Sequence, residues 1–189
     1  MKILITDIDE VLLDWSDSFD GFLRENYGYD DCHLRDNPQR LWDVIGVQEA
    51  DIGGIMNIHN DSPAFANLDY KNDSDILKDN YKKFDIIIAV TSCGSDTSIQ
   101  KKRIQNLKEK FGDIIDEIEF LDFLNPKHEA LEKIRERFSD AKIYMIDDSV
   151  KDVEYARSIG IHAYVYKATF HDPKDLPVVD SFTQFLDKL

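Results

Sequence analysis

The sequence predicts an α/β protein, a doubly wound parallel sheet with a small helical insertion after its first strand. Short apolar runs rich in β-branched residues recur along the chain, among them Lys2 to Thr6 (KILIT), Asp85 to Val90 (DIIIAV) and Lys142 to Ile146 (KIYMI). Segments with helical spacing, about 10–15 residues long, alternate with these runs, as they do in βαβ units. Each run also stops at acids or hydroxyls, where open α/β sheets gather their ligands. With 189 residues, 42% of them hydrophobic, the chain can bury one good core but not two full domains.

The first run ends at Asp7, Ile8 and Asp9, followed by Glu10 and a second apolar set, Val11 to Leu13. Two carboxylates one residue apart at a strand end can serve one ligand, or they can simply close a strand and open a turn. Ser16, Asp17 or Ser18 then caps a helix with Phe19, Phe22, Leu23 and Tyr27 at helical spacing and Gly28 as its stop. From Tyr29 to about Asp69 the pattern is irregular, broken by Pro38, Gly46, Gly53-Gly54 and Pro63. This reads as a small helical insertion, with Ile52, Ile55, Met56 and His59 on one face. His33 and His59 lack the paired spacing of a zinc site and read as ordinary histidines.

A helix is expected from Asp73 to Lys83, then a buried strand ending in Thr91-Ser92-Cys93-Gly94. Hydroxyls and a glycine at a strand end can bind a phosphate through side chains and backbone N–H groups. Helix capping is the other use, since Ser95 and Asp96 open a helix that places Ile104, Leu107 and Phe111 on one face. A weaker strand is expected within Ile114 to Leu121. Lys127 then opens a helix with Ala130, Leu131, Ile134 and Phe138 inward. A lysine there opposes the helix dipole by a few tenths of a kcal/mol, which hints at another use. The fourth strand ends in Asp147-Asp148, with Asp152 one turn into the next helix and Gly160 at its end. Ile161 to Tyr166 makes a fifth strand, and Ser181 to Leu189 closes the chain as a short helix.

The net charge of −15, from 38 acids against 23 bases, repels nucleic acid and anionic membranes. A small phosphorylated substrate remains compatible if the site carries a cation. No run approaches the roughly 18 apolar residues of a membrane span. The N-terminus opens on a strand and not on a basic-then-apolar leader. Cys32 and Cys93 form no CxxC pair and no disulfide framework, so a reducing, cytoplasmic setting is expected.

Parallel strands put their carboxyl ends on one edge, so Asp7, Asp9, Thr91, Lys127 and Asp147-Asp148 can converge there. Clustered carboxylates raise one another's pKa, and a divalent cation with a lysine relieves them. An all-oxygen set points to Mg²⁺. The set resembles the haloacid dehalogenase superfamily in all four of its motifs: Ile3 to Leu12 (ILITDIDEVL), the strand ending in Thr91, Lys127 before a helix, and Ile143 to Asp152 (IYMIDDSVKD). Glu10 departs from it, standing where many members carry glycine. The resemblance implies strand order 5-4-1-2-3, a core of residues 1–14 and 71–189, and a cap of residues 15–70.

It also implies a Mg²⁺-dependent phosphomonoesterase. Asp7 would attack phosphorus to give an aspartyl-phosphate, and Asp9 would protonate the leaving alkoxide and later deprotonate water. The metal would be held by Asp7, the Asp9 backbone carbonyl and Asp148, with Asp147 and Asp152 as supporting or alternative ligands. Thr91, Ser92 and Lys127 would bind the phosphoryl oxygens. The helical cap and the Asp-Asp pair are similar to the 5'-nucleotidase (deoxyribonucleotidase) branch, so a nucleoside 5'-monophosphate is the expected substrate. Trp15, Phe19, Trp42 and Phe65 would stack its base or fill the cap's own core, and Phe19 and Trp42 are the candidate substrate contacts. A sugar-phosphate phosphatase, a phosphomutase or a silent binding module are the other readings. A receiver-type signalling domain is excluded by motif order.

Overall fold

The computed structural model describes residues 1–28, 49–122, 125–166, 173 and 175–189. Strands β1 (Lys2–Thr6), β2 (Ile86–Ser92), β3 (Glu117–Leu121), β4 (Lys142–Asp147), β5 (His162–Tyr166) and β6 (Val178–Val179) form one sheet in the order β3-β2-β1-β4-β5-β6. Every pairing in it is parallel. The order matches the expected 5-4-1-2-3 with β6 added outside β5. The α-helices among the described residues are α1 (Trp15–Tyr27), α2 (Glu49–Asp61), α3 (Leu77–Asn80), α4 (Thr97–Phe111), α5 (His128–Arg137), α6 (Val150–Ser158) and α7 (Phe182–Leu186). Among the described residues, no helix is long and apolar enough to cross a membrane.

Strand alternation divides the core between the two faces of the sheet. One face carries Leu4, Ile87 and Tyr144 against Leu107 and Phe111 of α4 and Phe182 and Phe185 of α7. The other carries Ile3, Ile5, Ile88 and Met145 against Leu131 and Ile134 of α5 and Val153 and Ala156 of α6. Each such side chain contributes about 1.5–3 kcal/mol when fully buried. Helices on both faces make the sheet doubly wound, as expected.

Three local expectations are corrected. Helix α1 is capped by Asp14, whose carboxylate accepts from the Asp17 N–H at 3.1 Å, so it starts earlier than Ser16 to Ser18 would place it. The single helix expected over 73–83 is instead a 3₁₀ turn, the four-residue α3 and a second 3₁₀ turn. Tertiary bonds account for the break at its start. Asp73 accepts from the N–H groups of Phe182 and Thr183 at the head of α7, and the Ser74 hydroxyl donates to the Leu12 carbonyl. On α4, Ile104 faces solvent while Ile99, Arg103 and Leu107 face inward.

Beyond β1 the chain departs after Leu13 and comes back at Tyr70 through adjacent segments, joined by an antiparallel bridge between these two residues. The Asp14 N–H donates to the Asp69 carbonyl at 2.9 Å, and the Lys71 N–H to the Leu12 carbonyl at 3.0 Å. Between these points α1 and α2 pack on each other around Phe19, Phe22 and His59, with the Trp15 indole N–H donating to Asn60. His59 is fully buried, its ring within 3.0 Å of the Ser18 hydroxyl and 3.2 Å of the Asn60 amide oxygen. Burial pulls its pKa down to about 4, against the pull of the Asn60 bond, so the ring is a neutral packing group.

Candidate active site

The parallel register brings the motif ends to one edge. Thr6 pairs with Ala89 of β2 and Ile146 of β4, and the Asp7 N–H extends the ladder to the Ile146 carbonyl at 3.1 Å. Asp7 therefore stands beside Asp147 at the carboxyl end of the sheet. Lys127, at the head of α5, reaches between them: its Nζ lies 2.8 Å from Asp7 Oδ2 and 2.6 Å from Asp147 Oδ2. The remaining oxygens are held by backbone, Asp7 Oδ1 by the Ile8 N–H at 2.7 Å and Asp147 Oδ1 by the Ser149 N–H at 2.8 Å. The lysine that disfavours its own helix start is held there by two acids.

Asp7, Asp147 and Asp148 offer carboxylate oxygens that all lie within 4.8 Å of one another. Burial raises the pKa of Asp147 to about 7, with Lys127 pulling it down and Asp7 pushing it up. Burial also lifts Asp148 well above the ordinary carboxylate value, helped by the charges of Asp7 and Asp147. Burial alone would lower the Lys127 pKa, but the carboxylates of Asp147 and Asp7 outweigh it, and the ammonium stays charged. Three crowded hard oxygen donors fit Mg²⁺.

The carboxylates of Asp9, expected to meet the metal through its backbone carbonyl, and of Asp152, expected as a supporting or alternative ligand, lie outside this trio. Asp152 Oδ1 accepts from the Lys127 N–H at 3.4 Å and so supports the head of α5. The Asp9 carboxylate turns to Arg103, whose Nη2 lies 2.5 Å from Oδ1. Burial raises the Asp9 pKa to about 6, against the opposing pull of Arg103. Thr91, buried, and Ser92, half-buried, end β2 on the same edge, paired with Phe120 and Leu121. Gly94, at φ 83°, then turns the chain, its N–H donating to the Leu121 carbonyl.

The expected aromatic contacts fare differently. Phe19 is fully buried and stacked on Trp15 at 4.7 Å, with His59 against its edge, so it offers no face to a ligand. It is a packing residue. Trp42 lies outside the described residues. Two buried residues escape the sequence reading: Arg103, which meets Asp9, and Lys71, which meets Glu10 in the turn after β1. Both are buried cations, and charge normally marks a surface position. A signal for Arg103 was present, since Ile99, Arg103 and Leu107 stand at helical spacing on one face.

The order and parallel pairing of the sheet are those of solved haloacid dehalogenase-like structures. No protein-family model matches the sequence, and no curated protein matches it. Among solved structures, a haloacid dehalogenase-like family hydrolase from Streptococcus pneumoniae is similar with TM-score 0.68 and 14% identity, over 98% of this chain and 97% of that one. A haloacid dehalogenase-like hydrolase from Bacteroides fragilis gives TM-score 0.66 and 17% identity, over 97% and 98%. The L-2-haloacid dehalogenase from Xanthobacter autotrophicus, with chloropropionic acid covalently bound, gives TM-score 0.60 and 13% identity, over 88% and 77%. At such identities the likeness shows a shared fold.

Proposed function

We propose that the protein is a Mg²⁺-dependent phosphomonoesterase acting through an aspartyl-phosphate on Asp7. The observation that carries this reading is the trio of Asp7, Asp147 and Asp148 beside a buried lysine, with a second acid two residues after the nucleophile. Displacing a halide from carbon requires neither a cation site nor an acid to protonate the leaving group. Phosphoryl transfer from an alkoxide uses both.

In this reading an Asp7 oxygen bonds to phosphorus while the P–O bond to the leaving group breaks. The Asp9 proton passes to the leaving oxygen. Water then attacks the aspartyl-phosphate, giving its proton to Asp9 and releasing phosphate. Lys127 orients Asp7 and balances charge on the phosphoryl oxygens, and Thr91 and Ser92 donate to them. Mg²⁺, when held by Asp7, Asp147 and Asp148, would neutralise those oxygens further.

Residues 15–70 would act as the cap. A cavity of about 490 Å³ lies between α2 and the loop after β2, bordered by Asn57, Ile58, Cys93, Gly94 and Ile99. Cavities of this size suit a small-molecule leaving group. We take a nucleoside 5'-monophosphate as the substrate class, on the resemblance of the helical insertion and the Asp147-Asp148 pair to nucleotidases.

The test is a panel of nucleoside monophosphates, sugar phosphates and 2-haloacids, assayed with Mg²⁺ and with chelator. Phosphate release that needs Mg²⁺ is expected, abolished in Asp7→Asn and reduced roughly 10²–10⁴-fold in Asp9→Asn. Halide release without phosphate release would overturn the proposal.

A further inference from the structure

Arg103 is fully buried on the inner face of α4, directly over the ring of Phe65 with its guanidinium carbon 4.1 Å from the centroid. Its Nη2 meets Asp9 Oδ1 at 2.5 Å, while Nε and Nη1 find no hydrogen-bond partner among the described residues. A buried arginine that serves packing alone normally spreads its five donors over several carbonyls, because each donor left unmade costs about 1–3 kcal/mol. This one leaves donors unmade and spends its one described bond on a single carboxylate. Arg103 is therefore poorly explained as a stabilising residue and well explained as a holder of Asp9.

The geometry of the holder supports the same conclusion. Phe65 belongs to the 3₁₀ turn Phe65–Asn67, and its ring is itself fully buried. The guanidinium is thus fixed by a flat apolar surface on one side and by helix α4 behind it. Arginine's planar fork suits that slot, whereas a lysine ammonium is a point charge on a flexible stem. Among the described residues only one Asp9 oxygen is taken, so Oδ2 keeps its freedom to exchange a proton with a substrate oxygen.

We infer that Arg103 is a positioning residue: it fixes the Asp9 carboxyl for proton transfer to the leaving group and from water. The inference rests on the phosphomonoesterase reading. Proton delivery matters most when the leaving group is a poor one. An alkoxide leaving group needs the proton as the P–O bond breaks, whereas p-nitrophenolate departs without it. Loss of positioning therefore has a signature that loss of folding lacks.

The experiment measures kcat/KM with Mg²⁺ for alkyl phosphates and for p-nitrophenyl phosphate in Arg103→Met, Arg103→Lys, Asp9→Asn and the Arg103→Met/Asp9→Asn double variant. Arg103→Met is expected to lose at least about tenfold more activity on alkyl phosphates than on p-nitrophenyl phosphate, a fraction of the usual worth of acid–base help. The double variant should be no worse than Asp9→Asn alone, as residues acting through one group are not additive. Arg103→Lys should recover part of the alkyl-phosphate rate. Equal losses on both substrate types, or losses that add fully to those of Asp9→Asn, would overturn the inference while leaving the phosphatase reading standing. If Arg103→Met shows no cooperative melt, Arg103→Lys carries the same comparison at smaller amplitude. A wild-type protein inactive on every phosphate ester would overturn both.

Discussion

Glu10 holds a backbone φ of 62°, a left-handed conformation that costs an L-residue roughly 1–2 kcal/mol. Glycine would remove that strain, yet the glutamate has a use there. Its Oε1 accepts from the Ser16 N–H at 2.7 Å, in the first turn of α1, and its Oε2 meets Lys71 Nζ at 2.6 Å. Lys71 also meets Asp14 at 3.3 Å, so one buried cluster ties the motif-bearing turn to both connecting segments. Glu10→Ala keeps the strain, strands the Ser16 N–H and leaves Lys71 with one partner. The expected loss is about 2–4 kcal/mol in a denaturant titration. Glu10→Gly loses the same bonds but sheds the strain, so it should be the less damaging of the two. An alanine variant more stable than the glycine variant would contradict this account of the turn.

At the scale of elements, strands and helices with strong periodicity were legible, and so was the edge they share. β1, β2 and β4 are buried on both faces and read as unbroken apolar runs, which is why Asp7, Thr91 and Asp147 stood out as the residues ending them. What was not legible depended on contacts between distant segments. The 73–83 segment has helical spacing, but Asp73 is captured by the head of α7, more than a hundred residues away. The inward face of α4 is not legible because an arginine occupies a core position: apolarity points to Ile104, while Arg103 holds the place. The partner of Asp9 is hidden for the same reason. Phe19 reads either as a ligand contact or as core, because aromatic rings beside a site have both uses and only packing shows which is taken. β6 is two residues long and carries no readable period.

For the whole molecule, buried acids with raised pKa values gather at one edge of the sheet. Without metal, Asp9 and Asp147 keep protons to about pH 6 and 7, and Asp148 also lies well above the ordinary value of 3.8. Carboxyls with raised folded pKa values contribute stability that is present below about pH 4 and lost as pH rises through the folded values. His59 works the other way: its stability is present above 6.5 and lost as pH falls toward 4. Above pH 6.5 only the acids act, so metal-free protein should lose stability from there to about pH 7.5. A cation that replaces those protons stabilises by RT ln(1 + [L]/Kd), about 2.7 kcal/mol at a hundredfold excess. In a domain of this size that is roughly 5–10 °C in Tm, at about 2–4 °C per kcal/mol. Millimolar Mg²⁺ should give that shift at pH 7.5, beyond monovalent salt at matched ionic strength, and Asp148→Ala should remove most of it. Equal shifts with Mg²⁺ and matched salt would mean that the trio is not a metal site.

The chemistry itself is tested most directly by the covalent intermediate. With p-nitrophenyl phosphate, Asp9→Asn should still be phosphorylated, because the leaving group needs no proton, but hydrolysis of the intermediate should slow for want of a base. Acid quenching during turnover, followed by peptide mass spectrometry, should then find a phosphoryl group on Asp7 in Asp9→Asn and none in Asp7→Asn. A phosphoryl group on another residue, or phosphatase activity near wild type in Asp7→Asn, would contradict the account.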